Sequence, residues 1–312
     1  MDSKRFAFVA IAMLVVGAYF YRPAPSKAKI PAVESSEAFF ARMSEKAAAS
    51  GLEWEIAAYL LAVRDDAARI PGIADSRAWK ELTADSVRAV ARRRDAVIAW
   101  TRSDGCPALR VTFIGVIHKD TDKSTEQRDV TVRSQSAALS LIRGRSPGIG
   151  VVAIEAAGSV EGPLSWGAHL ASAVDAYDQY QGIRLDRAWL ERSLIAEEPV
   201  DADVSMIRSE GFPPVIYGEE SAPNQLHYWL ISRAAAGEIP STDAAMLLNG
   251  LLKNLRSEMP VIRALEFLRR NGGSEAVITQ GYAHGDDYAR FMDDYDVTFE
   301  TIVPVRPLER YR

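Results

Sequence analysis

From about residue 107 onward, short apolar runs alternate with longer stretches of helical periodicity. The first run, Arg110–His118, is mostly β-branched and is bounded by Pro107 upstream and Lys119-Asp120 downstream, as expected for a buried strand. Comparable runs follow at Gly150–Glu155, Pro214–Gly218, Ala276–His284 and Asp296–Pro304. Between them the spacing predicts helices at Arg128–Arg143, Trp166–Tyr180 and Arg187–Glu197, another starting at Pro223, and a long one over Thr242–Asn271 with a possible kink at Pro260. Strands alternating with helices predict an α/β fold: a mostly parallel central sheet with helices on both faces.

Upstream the pattern changes. Glu37–Trp100 is Ala-rich and helical, with Phe39, Phe40 and Met43, then Trp54, Ala57, Ala58 and Leu61, at helical spacing. Pro71-Gly72 breaks it, and a third helix is expected over Asp75–Trp100, where Arg88, Arg92, Arg93 and Arg94 read as a solvated face. Ile30–Ser36 reads as a linker. Before it, Phe6–Tyr21 is an almost unbroken apolar run behind Lys4-Arg5. At about 16 residues it is short of the ~20 of a comfortable membrane span, and it fits a signal-peptide core as well as an anchor. The division expected is a leader and linker over 1–29, a helical region over 30–106 packed on the main domain, and an α/β domain over 107–312. The leader predicts an exported or membrane-anchored, extracytoplasmic protein, with the membrane engaged through this segment alone.

Composition narrows the chemistry. The 312 residues carry a net charge of −5, and no basic patch interleaved with aromatics, so nucleic acid is not an expected partner. One cysteine, Cys106, excludes an intramolecular disulfide and any multi-cysteine metal site, and reads as a structural thiol.

The histidines carry the chemistry. Two of the four close predicted strands in the same way: Gly115-Val-Ile-His118 and Gly281-Tyr-Ala-His284. The second strand ends on Glu155, and the third runs into Glu219-Glu220. In a parallel sheet all these ends face one rim, where sites of open α/β sheets form. Two imidazoles with one or two carboxylates suit a divalent metal (Zn, Mn, Co or Fe) that would activate water. The same groups can also work without metal, with a histidine as base and a glutamate orienting it. A glutamate poised in this way would be a cost to stability, so Glu155→Gln is expected to leave the melting temperature nearly unchanged. His169, after Trp166, reads as a packing residue. His227, seven residues beyond Glu220, is a weaker site candidate.

Taken together, Gly115-Val-Ile-His118, Glu155 and Gly281-Tyr-Ala-His284 resemble the TraB/Tiki superfamily, over roughly Pro107 to Pro304. That group includes Tiki-type metalloprotease-like, erythromycin-esterase-like and haem-binding ChaN-like proteins. The resemblance implies that both motifs form one site, with His118, Glu155 and His284 as catalytic residues or metal ligands and Glu220 as a further acid. It implies a metal-dependent hydrolase of amide or ester bonds in a peptide or small molecule. The alternative is a non-catalytic envelope protein that binds haem or another small molecule, for which Tyr217 and Tyr282 are possible axial ligands. Lys119 after the first motif departs from the family pattern, as does the lack of a second histidine soon after it, which argues against a macrolide esterase.

Overall fold

The computed structural model of the protein describes residues 36–118, 125–158, 161–182, 184–197, 201–239 and 252–305. The expected leader Phe6–Tyr21, the linker, the polar segment 119–124 and the start of the helix predicted from Thr242 lie outside the described residues. Two compact units divide the chain: one runs up to Arg92 and takes in the segment from Leu226 to Leu252, and the other holds the rest.

In the first unit, α1 (Ser36–Ala48) and α2 (Glu55–Ala67) share Asp66, whose carboxylate accepts from Arg42 at 2.6 Å and Lys46 at 3.2 Å. Burial raises the Asp66 pKa, but the two cations outweigh it and hold the group below the ordinary carboxylate range. The single helix expected over Asp75–Trp100 is two: α3 (Arg77–Glu81) and α4 (Ala84–Thr101), the latter belonging to the second unit from Arg93 on. Thr83 separates them. Its hydroxyl accepts from the Ser86 N–H at 3.1 Å, an N-cap that starts a new helix.

The second unit is built on a five-stranded, all-parallel sheet flanked by helices. Strands β1 (Arg110–Val116), β2 (Val151–Ala157), β3 (Val215–Glu219), β4 (Glu275–Gly281) and β5 (Thr298–Ile302) lie in the order β3-β2-β4-β1-β5. Between β1 and β2 runs α5 (Thr125–Arg145). Then come α6 (Trp166–Gln181), α7 (Arg187–Glu197) and the short α8 (Ala202–Arg208), which the hydrophobic pattern did not predict. After β3 come α9 (Ser221–Ala235), which belongs to the first unit from Leu226 on, and α10 (Lys253–Asn271), and α11 (Gly285–Phe291) follows β4. Strands β1 to β4 are buried over most of their length, because alternate side chains enter different layers, whereas the edge strand β5 is partly exposed. Ile114, Val116, Val152, Ile154, Val215 and Val277 cluster with Ala138 and Ile142 of α5 and with Met206 and Ile207 of α8. The opposite-facing position Gly218 meets Pro260 of α10, whose ring lies 3.0 Å from where a Cβ would stand.

Helix α10 continues through Pro260 and stops at Gly272, which adopts φ +81° and donates its N–H to the Leu268 carbonyl at 2.8 Å. Two members of the arginine cluster are engaged by carboxylates, Arg93 half-buried and Arg94 buried. Arg93 makes a two-point contact with Glu266 at 3.0 and 2.6 Å and reaches Glu220 at 2.7 Å. Arg94 is buried, with its Nε 2.5 Å from the fully buried Glu258 and a further ion pair to Asp294. Helical spacing had placed these side chains towards water. Carboxylates from α10 and from the chain after β3 take them inside instead.

Removing Glu258 would leave the Arg94 guanidinium buried without its buried counter-charge, with only the half-exposed Asp294 as partner. Glu258→Ala is therefore expected to cost about 3–5 kcal/mol in urea denaturation. A loss within the range of an exposed ion pair, below about 1 kcal/mol, would show that water reaches this pair.

Candidate functional site at the carboxyl rim of the sheet

Strand β1 ends at Val116 and β4 at Gly281, two residues and three residues short of their histidines. His118 therefore sits on the first residues of a loop, and His284 on a 3-10 turn, Tyr282–His284. Glu155 is not a strand end: β2 continues to Ala157, with a register shift against β3 between Ile154 and Ala157. The three strands involved, β2, β4 and β1, are consecutive in the sheet, so the three side chains converge.

The glycines of the two motifs interlock. Val116 pairs with Gly281 and Gly115 with Gln280. A Cβ on Gly281 would stand 3.1 Å from His118 Cδ2 and 3.5 Å from Glu155 Oε2. A Cβ on Gly115 would stand 3.0 Å from the Tyr282 backbone. Each motif's glycine thus makes room for the other motif's turn, which explains why Gly-x-x-His occurs twice.

Glu155 is the hub. Its Oε2 lies 2.7 Å from His118 Nε2 and accepts the Gly281 N–H at 2.6 Å. Its Oε1 accepts from Arg256 Nη2 at 3.2 Å and lies 3.5 Å from His284 Nε2. Arg256 comes from α10 and was not anticipated. Its guanidinium grips the fully buried Glu219 at two points, 2.7 and 2.9 Å. Glu219 also accepts from Asn224 at 2.6 Å and from Gln280 at 3.2 Å. Gln280 is satisfied at both ends: Tyr288 donates to its carbonyl at 2.5 Å, and its amide reaches the Arg256 carbonyl at 3.3 Å. That carbonyl is available because Pro260, four residues on, has no N–H to give it.

His284 is buried and held from its other nitrogen, with Nδ1 2.6 Å from Ser257 Oγ. Ser257 in turn bonds Asp287 at 3.0 Å, and Lys253 lies 3.4 Å from the same carboxylate. Ser257, His284 and Glu155 have the residue types of a nucleophile triad. With Ser257 fully buried inside α10, a substrate cannot reach it, and it acts on the ring. His118 differs: half of its side chain is exposed, and among the described residues its Nδ1 has no hydrogen-bond partner.

The remaining expected residues lie elsewhere. Glu220 is engaged by Arg93 at 2.7 Å and Arg263 at 3.0 Å. Burial raises its pKa, but the two guanidiniums outweigh it. The structure brings its neighbour Glu219, not Glu220, to the Glu155 network. His227 belongs to the first unit, edge-on to Tyr228. His169 stacks on Trp166 and bonds the buried Tyr217 hydroxyl at 3.1 Å, and burial pulls its pKa down. The Cys106 thiol is pushed up by burial and by Asp296, which fits an inert thiol.

Partial burial lowers the His118 pKa, but the Glu155 carboxylate outweighs it and lifts the ring to about 9. Burial would raise Glu155, and His118 and His284 hold it well below its ordinary value of 4.5. The stability due to His118 is thus complete below its ordinary 6.5 and is lost as pH rises through about 9. That due to Glu155 is present above 4.5 and is lost as pH falls through its depressed value.

Donor types at this centre suit a divalent cation, and both Nε2 atoms approach one carboxylate. Occupancy does not suit one. Glu155 already accepts on both oxygens, and one partner is a guanidinium, whose charge opposes a second cation there. Among the described residues no group of three or more His, Cys, Asp or Glu is placed to hold a metal ion. The arrangement fits proton transfer better than metal ligation.

Two measurements probe this geometry. In NMR titration, His118 should show a midpoint near 9, which Glu155→Gln should return towards 6.5. An unshifted His118 would mean that no ion pair forms. Gly281→Ala should displace His118 with little change in melting temperature, because a half-exposed ring can move. Gly115→Ala presses on backbone and should destabilise more; equal losses in both would contradict the interlocking motifs.

No family model matches the chain, and neither does any curated protein or solved structure.

Proposed function

We propose that this rim is a hydrolytic centre for ester or amide bonds in a peptide or small molecule, with His118 as the proton-transferring group. The observation that supports it is the pairing of a half-exposed imidazole, its Nδ1 unspent, with a largely buried carboxylate fixed from several sides. Such a ring is oriented before substrate arrives, which is what general acid–base catalysis requires. Glu155 keeps the Nε2 face occupied, so Nδ1 is the nitrogen offered to a water or substrate. In its neutral form His118 accepts a proton from water as the oxygen attacks the carbonyl carbon. With a pKa raised to about 9, that form grows with pH, so kcat/KM on an activated ester such as a p-nitrophenyl ester, whose leaving group needs no proton, is expected to climb through the alkaline range. The resemblance to the TraB/Tiki superfamily supports the same reaction class. The apolar run Phe6–Tyr21 supports export or membrane attachment of the chain.

A second reading keeps the metal. The approach of both histidine Nε2 atoms to Glu155 favours it, with His118, Glu155 and His284 as ligands and a bound water as what the ion would activate. It requires Arg256 and the His118 bond to release the carboxylate.

Esters and anilides of graded reactivity, incubated with purified protein, test the proposal. His118→Ala is expected to lower turnover by ~10²-fold or more. Equal rates in wild type and His118→Ala, or no turnover at all, would overturn it, and a Soret band on haem addition would then favour the carrier alternative. Elemental analysis of chelator-free protein separates the two hydrolytic readings: a stoichiometric ion lost together with activity in His118→Ala supports the metal. Glu155→Gln is no longer expected to be neutral for stability, because its new amide N–H₂ would face N–H donors.

A further inference from the structure

Hydrolysis of an unactivated ester or amide needs a second proton movement, onto the departing oxygen or nitrogen. Glu155 is unsuited to that role, since both of its oxygens accept hydrogen bonds and one partner is a guanidinium. A second carboxyl stands nearby in a different setting. Asp203, the second residue of α8, accepts from the neutral Thr279 hydroxyl at 3.2 Å. Thr279 lies on β4, two residues before the Gly281 whose N–H holds Glu155. Among the described residues no lysine or arginine pairs with Asp203, and its second oxygen has no hydrogen-bond partner.

One buried side chain sets the spacing between Asp203 and His118. Gln135 of α5 donates its amide to the Ile117 carbonyl at 3.0 Å and accepts the Ala202 N–H at 2.9 Å. These are the residues immediately before His118 and Asp203, so the start of α8 and the start of the loop after β1 are fastened to one planar group. Ile117 is held further by its N–H on Ser134 Oγ at 2.9 Å. Neighbouring Asp201 is spent on capping α8, accepting from the Asp203 and Val204 N–H groups at 3.0 and 3.1 Å. The Asp201 and Glu155 carboxylates and the His118 ring all act on Asp203 electrostatically. Burial, then Asp201, push its pKa up to about 8, so it keeps a proton to give near neutrality.

We propose that Asp203 is the general acid of this site, protonating the leaving group while His118 serves the attacking water. The inference rests on the hydrolytic reading above. Water gives one proton to His118 Nδ1 as its oxygen bonds the carbonyl carbon. The bond from that carbon to the leaving oxygen or nitrogen then breaks, and the Asp203 carboxyl proton passes to the leaving atom. Transfer of the proton on His118 to the Asp203 carboxylate restores both groups, and the net change is addition of one water. A site equipped in this way takes substrates with poor leaving groups, namely alkyl esters and amides.

The test is a leaving-group series, from p-nitrophenyl to alkyl esters and amides of one acyl group. Wild type should show a shallow dependence of kcat/KM on leaving-group pKa. Asp203→Asn should steepen it, losing ~10²-fold or more on the alkyl ester and far less on the p-nitrophenyl ester. Asp203→Glu, which keeps a carboxyl, should recover part of the loss. A uniform loss across the series, or none, would overturn the role of Asp203. A steep wild-type dependence would do the same even if Asp203→Asn failed to fold. Activity that needs His118 but ignores Asp203 removes only this inference, whereas a wild type inert on the whole series removes the hydrolytic reading along with it.

Discussion

The rim is organised by a single buried guanidinium. Arg256 stands between Glu219, which it binds at two points, and Glu155, which it touches at 3.2 Å. Two carboxylates this deep would be too costly to keep ionised without a counter-charge, and the arginine supplies one to both. The planar fork also fixes direction, since two-point binding leaves little rotational freedom. Glu155 is thereby aimed, and His118 and His284 are aimed by Glu155. Loss of Arg256 would disturb every group of the site.

Helix α10 delivers that guanidinium and much else. Lys253, Arg256, Ser257 and Pro260 fall three and four residues apart, so they share one face of the helix. From that face come the contact to Asp287, the grip on both glutamates, the support of His284 and the carbonyl that holds Gln280. Proline inside a helix is ordinarily a loss of one hydrogen bond. Here the freed carbonyl has a buried partner, and the ring fits against Gly218 of β3, where no side chain stands in the way. The local cost of Pro260 is offset by what it allows next to the sheet.

Two carboxyls at this rim live in opposite surroundings. Glu155 is ringed by N–H donors and positive charge, whereas on Asp203 burial and the Asp201 carboxylate outweigh the His118 ring and the Thr279 hydroxyl. Environments that push two acids apart in this way divide acid and base roles in hydrolytic sites. Gln135 holds the two sides of the arrangement together by binding backbone groups of both with one buried side-chain amide.

The strands were legible in the sequence because β-branched runs between turn residues can be buried in few ways. The five predicted runs match the five described strands to within a few residues, and the parallel sheet follows from their alternation with helices. The meeting of His118, Glu155 and His284 was legible too, since parallel strands point their carboxyl ends one way. What periodicity could not give was any residue whose burial depends on a distant charge. Arg94, Arg256, Ser257 and Glu258 look solvated on a helical wheel, yet all are inside, because their partners come from other elements. Thr83 and α8 were missed for a related reason: a cap and a seven-residue helix carry too little periodic signal to be seen. The choice between Glu219 and Glu220 also lay beyond the sequence. Adjacent residues at a strand end face different ways, and only the packing of α10 decided which carboxylate met Arg256.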